Sequence, residues 1–139
     1  MITTNVKNNI LNNWFRGTGA TLPTTLYVGL SKTAPTEAGG NVTEPTASSY
    51  KRIAIQANTT NWTTASNGKI SNAVVFRFPE ATEAWTTSSA KITHFAIYDA
   101  QTGGNLLFYG QLSISQEIPI GSIMEIPIGG LSTQLTNVS

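Results

Sequence analysis

His94 is the one histidine of this chain, cysteine is absent, and Asp and Glu together number seven. These side chains limit the nucleophilic, acid–base and metal chemistry open to it. A Ser–His–Asp relay would have to join His94 to Asp99 in the run THFAIYD. Strand side chains alternate between faces, so residues five apart point to opposite sides. His94 shares its face with Ala96 and Tyr98 instead, and no Gly-x-Ser-x-Gly elbow accompanies it. Glu80 and Glu83 beside Trp85 resemble a glycosidase pair in type, but they sit in a turn-rich stretch that reads as a solvated loop. One histidine, no cysteine and no Asp-x-Asp-x-Asp-Gly loop leave no metal set. The pairs Gly39-Gly40, Gly103-Gly104 and Gly129-Gly130 lie between strand candidates, where glycine supplies turns; a phosphate cradle would need a helix to follow. The expectation is a non-enzyme without cofactor or metal.

Composition narrows the partners. Charged residues make up 11% and the net charge is +1, so the chain has no electrostatic footprint for nucleic acid or an anionic membrane. The adjacent Lys51 and Arg52 alternate to opposite faces. MITTNVKNNILNNWF lacks the continuous apolar core of a signal peptide, and no run is long enough to cross a bilayer. The expected origin is a cytoplasm. Four Asn-x-Ser/Thr sequons, at Asn41, Asn58, Asn61 and Asn137, follow from a chain rich in Asn and Thr.

The 139 residues suffice for one domain with a real core. Val6, Ile10, Leu11, Trp14 and Phe15 recur at helical spacing, predicting an amphipathic helix over about 5–16, with Thr3 or Thr4 capping its start and Gly17 ending it. Such a helix covers one edge or face of a sheet, or serves as a docking arm. From about 24 to 136 the period is two. Thr24–Ser31 and Tyr50–Ala57 predict strands, as do Lys69–Phe78 (ending at Pro79), Lys91–Ala100 and Asn105–Gln116. SIMEIPI and LSTQLTNV follow, with Pro127 suited to an edge. Asn67-Gly68 marks a turn. DAQTGGN reads as a hairpin loop closed by an Asp99 Asx turn. Lys32–Ser49 holds two prolines and a Gly pair without periodicity, predicting a long exposed loop. Short strands separated by turn signals predict an all-β fold, an antiparallel β-sandwich of jelly-roll or Ig-like type with one N-terminal helix, in a single domain over 1–139.

The order of LYVGLSKTAPTEAGGNVTEPTASSYKRIAI, ISNAVVFRFPEATEAW, ITHFAIYDAQTGGNLLFYGQL and GGLSTQL resembles a family of small virion proteins of tailed bacteriophages, labelled tail-fibre-like or head-decoration proteins. The matching elements are Leu26–Leu30, Glu44–Arg52, Asn72–Trp85 and Thr93–Leu107. The resemblance implies a non-enzymatic building block of a virion, made in the host bacterium. A fibre shaft would bring a coiled coil, collagen-like repeat or β-helix, and none is visible. The expectation is therefore a capsid decoration or cement subunit bound to the major capsid protein or other virion proteins, as a homo-oligomer, trimeric by preference. The alternative is a tail fibre, tail-tip or baseplate subunit, with a host surface glycan as a further partner.

Candidate interaction residues follow from exposure and length. Trp14 and Phe15 would be presented by the helix, while Glu37 and Glu44 lie on the long loop. Tyr50 and Arg52 can hydrogen-bond at its base. Trp62 and Trp85, in polar connections, would either stack on sugar rings or anchor their loops onto the sandwich.

Overall fold

A computed structural model describes residues 1–136. The fold is all-β and sandwich-like, with antiparallel sheets and one short N-terminal helix. Strands β1 (Thr25–Ser31), β2 (Ile53–Gln56), β5 (Ile92–Tyr98) and β6 (Leu106–Gln116) form a four-stranded sheet in the order β2-β1-β5-β6. Strands β3 (Lys69–Ser71) and β8 (Ser132–Gln134) pair separately, as do β4 (Phe76–Glu80) and β7 (Ile123–Ile126).

The central strands β1 and β5 are buried on both faces, which explains their dense apolar runs. Val28 and Leu30 from β1 and Phe95 and Ile97 from β5 face the main core, where they meet Phe76, Phe78, Trp85, Met124 and Ile126. Ala96 and Tyr98 face the other way, toward Leu106, Tyr109, Tyr27 and Val42. Gly110 on β6 leaves room for Phe95, since a Cβ there would stand 2.5 Å from its ring.

The stretch Lys69–Phe78 is two strands, not one. Asn72, fully buried, is where the chain leaves β3 and steps toward β4. Its amide nitrogen donates to the carbonyls of Val74 (2.8 Å) and Pro127 (2.9 Å), and its Oδ1 accepts from Leu131 N (3.0 Å). These bonds satisfy backbone groups at the break that the ladders leave unpaired. Asn72→Ala is expected to strand Val74 O and Leu131 N, while Pro127 O keeps its bond from Gly130 N, and to cost about 2–3 kcal/mol in urea denaturation. Pro79 does not end its strand either. It lies inside β4, which pairs with β7 alone, and the register shifts between Arg77 and Glu80. A proline on an edge strand at a bulge removes no needed ladder bond.

The turn predicted at Asn67-Gly68 is present. Asn67 and Gly68 both adopt positive φ (53° and 73°), and Ser66 and Lys69 bridge across them. Asp99 closes the β5–β6 hairpin loop at its base, accepting from Asn105 N (2.7 Å) and Asn105 Nδ2 (2.9 Å) six residues on, in place of the Asx turn to residue 101 that was expected. Three of the sequon asparagines shape turns: Asn41 has φ of 59°, Asn58 Oδ1 accepts from Thr60 N and Asn61 N, and Asn61 Nδ2 donates to Gln56 O. Asn137 lies outside the described residues.

Candidate functional site

The N-terminal residues extend the sheet before the helix begins. Ile2 bridges Phe108, and Thr3 N donates to Leu107 O (3.1 Å), so this segment covers part of the outer edge of β6. Thr3 occupies the N-cap position of α1 (Thr4–Leu11), but its hydroxyl does not cap the helix. It donates instead to the carbonyls of Leu106 and Leu107. After Leu11 the helix widens into a π-helical turn, Asn12–Arg16, ended by Gly17 in the left-handed region as its composition predicts. No residue of α1 or of this turn is buried. Trp14 and Phe15 are 82% and 84% exposed, and Leu11 and Leu22 are exposed beside them in sequence. The helix is tied down by Lys7, whose Nζ meets Glu37 Oε2 at 3.0 Å. Glu37 is thus a contact within the chain.

Residues 32–49 form no regular element, yet they fold back on the second face of the sheet. Val42 packs against the Ala96–Tyr98 cluster, Pro35 and Pro45 are buried, and Lys32 N donates to Thr43 O (2.9 Å). Exposure is continuous over Thr36–Asn41. The long exposed loop expected from the sequence is exposed along most of its length, and its less exposed residues also cover apolar surface of the sheet.

Three predicted residues come together here. The expected strand Tyr50–Ala57 shortens to Ile53–Gln56, leaving Tyr50 and Arg52 outside the ladder. Arg52 Nε and Nη2 donate to Glu44 Oε1 (3.0 Å) and Oε2 (2.9 Å), a two-pronged pair with planar geometry on both sides. Arg52 Nη1 donates to Ala100 O (2.9 Å) and Gly103 O (2.8 Å), gripping the β5–β6 hairpin loop. The guanidinium lies 3.5 Å from the Tyr98 ring centroid. Gln101 returns a side-chain bond to Arg52 O. Tyr50 donates to Glu44 Oε1 (2.7 Å) and accepts from Leu30 N (3.0 Å), a β1 donor beyond the end of β2. Burial, then the adjacent Glu44 carboxylate, push the Tyr50 hydroxyl far above its usual pKa, so it remains a donor. Burial works against the charge on Arg52, but the Glu44 bond and charge outweigh it, and its pKa is raised.

Gly29 and Gln101 belong to this cluster although neither stood out as a site residue. A Cβ at Gly29 would stand 2.7 Å from Glu44 Oε1 and 3.0 Å from the Tyr50 oxygen. A glycine inside an otherwise apolar strand is the signal for such a close approach. Gln101 carried no comparable signal.

The two tryptophans do not form a sugar platform. Trp85 is 2% exposed, packed edge-on against Tyr50 (5.2 Å between centroids) and Phe78 (6.4 Å), with Nε1 donating to Ser49 Oγ (2.8 Å). Of the two roles open to it in the sequence, this packing gives Trp85 the anchoring one. Trp62 is half-buried against Phe76, and its buried Nε1 has no partner among the described residues. Trp62 and Trp85 therefore anchor their loops. Nor do the candidate acid–base groups converge: His94 Nδ1 contacts Thr93 Oγ1 (2.8 Å), and Glu83 accepts from Ser48 N and Oγ. The Ser48 backbone bond, followed by its hydroxyl, holds the Glu83 pKa below the usual value. No helix among the described residues is long and apolar enough to cross a membrane.

Glu44, Tyr50 and Arg52 thus form an internal clamp, while Trp14 and Phe15 are the predicted residues left free for contact with another molecule. No curated protein matches the chain. The family model described as Podophage GP4 fiber I protein gp80 matches residues 1–134, nearly its whole length, which supports a structural component of a phage virion. The chain belongs to the Podophage GP4 fiber I protein gp80 family.

Proposed function

We propose that this chain is a non-enzymatic subunit of a tail-side fibre of a tailed-phage particle, not a capsid decoration subunit. The observation that carries the reading is the match over residues 1–134 to a family described as a podophage fibre protein. The missing shaft signature, which favoured the capsid in the sequence, weighs little beside it. A fibre can be assembled from several chains, and a compact β unit can be its base, joint or tip. The exposed aromatics on the N-terminal segment fit a part that is held by neighbours.

The test is the number of copies per purified particle, measured against the major capsid protein by quantitative mass spectrometry. A small number relative to the shell protein is expected. A ratio near that of the shell protein, or a large simple fraction of it, would return the chain to the capsid surface.

A further inference from the structure

We infer that copies of this chain bind one another head to tail, the Trp14–Phe15 projection of one entering an apolar hollow beside Trp62 of the next. The inference deepens the fibre reading and rests on it for its biological setting, while the contact itself can be tested in solution.

The projection is unusual for an isolated chain. Asn8 to Phe15 contains no charged residue, and its π-helical turn displays two adjacent aromatics that no part of the fold buries. Trp and other aromatics are the side chains that most often dominate association energies, and single-turn π-helices recur at functional positions.

The hollow lies between the four-stranded sheet, the connection after β2, and the β3–β8 pair. It has a volume of about 600 Å³ and is lined by Leu26, Trp62, Ile70, Ile97 and Phe108, with neutral polar residues such as Thr64 completing its wall. None of the lining residues is charged. A neutral apolar knob entering a neutral apolar hollow desolvates no ion, which suits the centre of an interface. Two aromatics bury roughly 300–500 Å² between them. That is about half of the roughly 800 Å² per partner of a stable association, and Leu11, exposed one turn before Phe15, adds apolar surface to it. Knob and hollow are different surfaces of one chain, so a contact that runs one way, from the knob of one copy to the hollow of the next, is heterologous and generates a ring or a filament.

Sedimentation velocity on the full chain tests this with two variants. The double variant Trp14→Ala, Phe15→Ala removes the knob, and Thr64→Arg places a charge at an exposed position of the hollow. Circular dichroism checks that both are folded. The wild type is expected to associate with rising concentration, and each variant alone to associate roughly a hundredfold more weakly. Mixed together, the variants should recover a one-to-one dimer, because the knob of Thr64→Arg meets the intact hollow of the other. A wild type that stays monomeric overturns the inference. So does association that survives Thr64→Arg, or a mixture of folded variants that stays monomeric. Recovery of the mixed dimer by a chain found at shell-protein copy number would keep the contact and remove the fibre reading.

Discussion

Arg52→Ala is expected to lower the unfolding free energy by about 3–5 kcal/mol, read from urea or thermal denaturation. Arg52 is 7% exposed, and its removal leaves the Glu44 carboxylate without its ionic partner. It also frees the carbonyls of Ala100 and Gly103 and opens the face of Tyr98. The loss falls on three connected parts: the segment 32–49, the β5–β6 hairpin and the second face of the sheet. Arg52→Lys should recover little of it, since an ammonium cannot supply the planar pair to Glu44 and the two carbonyl bonds together. A Lys variant with wild-type stability would show that charge alone holds the clamp. Deleting Thr36–Ala47 would dismantle the same clamp, because it removes Glu44.

The second large effect belongs to Trp85. Trp85→Ala should cost about 3–5 kcal/mol, the range for emptying an aromatic site in a packed core. The indole fills space between Tyr50 and Phe78 and holds Ser49 through Nε1. Trp62→Phe, by contrast, is expected to change stability by less than about 1 kcal/mol. It keeps an aromatic against Phe76 and removes a buried donor that has no partner among the described residues. Denaturation of both variants under one condition checks the pair, and equal losses would contradict the difference in burial.

Much of the fold was legible in local pattern. Alternation located β1, β5 and β6, and the Asn67-Gly68 turn and the Asp99–Asn105 loop were marked by residues that tolerate positive φ. The helix and its Gly17 end followed from spacing and from the left-handed preference of glycine. These features depend on residues near one another in the chain, so a linear reading reaches them. The division at Asn72 was hidden because its partners, Pro127 and Leu131, are remote in sequence.

The same distinction separates the candidate residues. Their types showed that Glu44, Tyr50 and Arg52 could bond, and that Trp14, Phe15, Trp62 and Trp85 were large enough to matter. Composition likewise argued against a catalytic or charged binding surface. Which of them faces inward depended on long-range packing. Arg52 bonds across to residues 100 and 103, Trp85 to Ser49, and Glu37 to Lys7. The sequence left Trp85 between a sugar-stacking and an anchoring role, which its packing against Tyr50 and Phe78 decided, and part of an irregular segment proved to cover a sheet face. Trp14 and Phe15 have no such distant partners among the described residues, and their exposure is what directs attention to another copy.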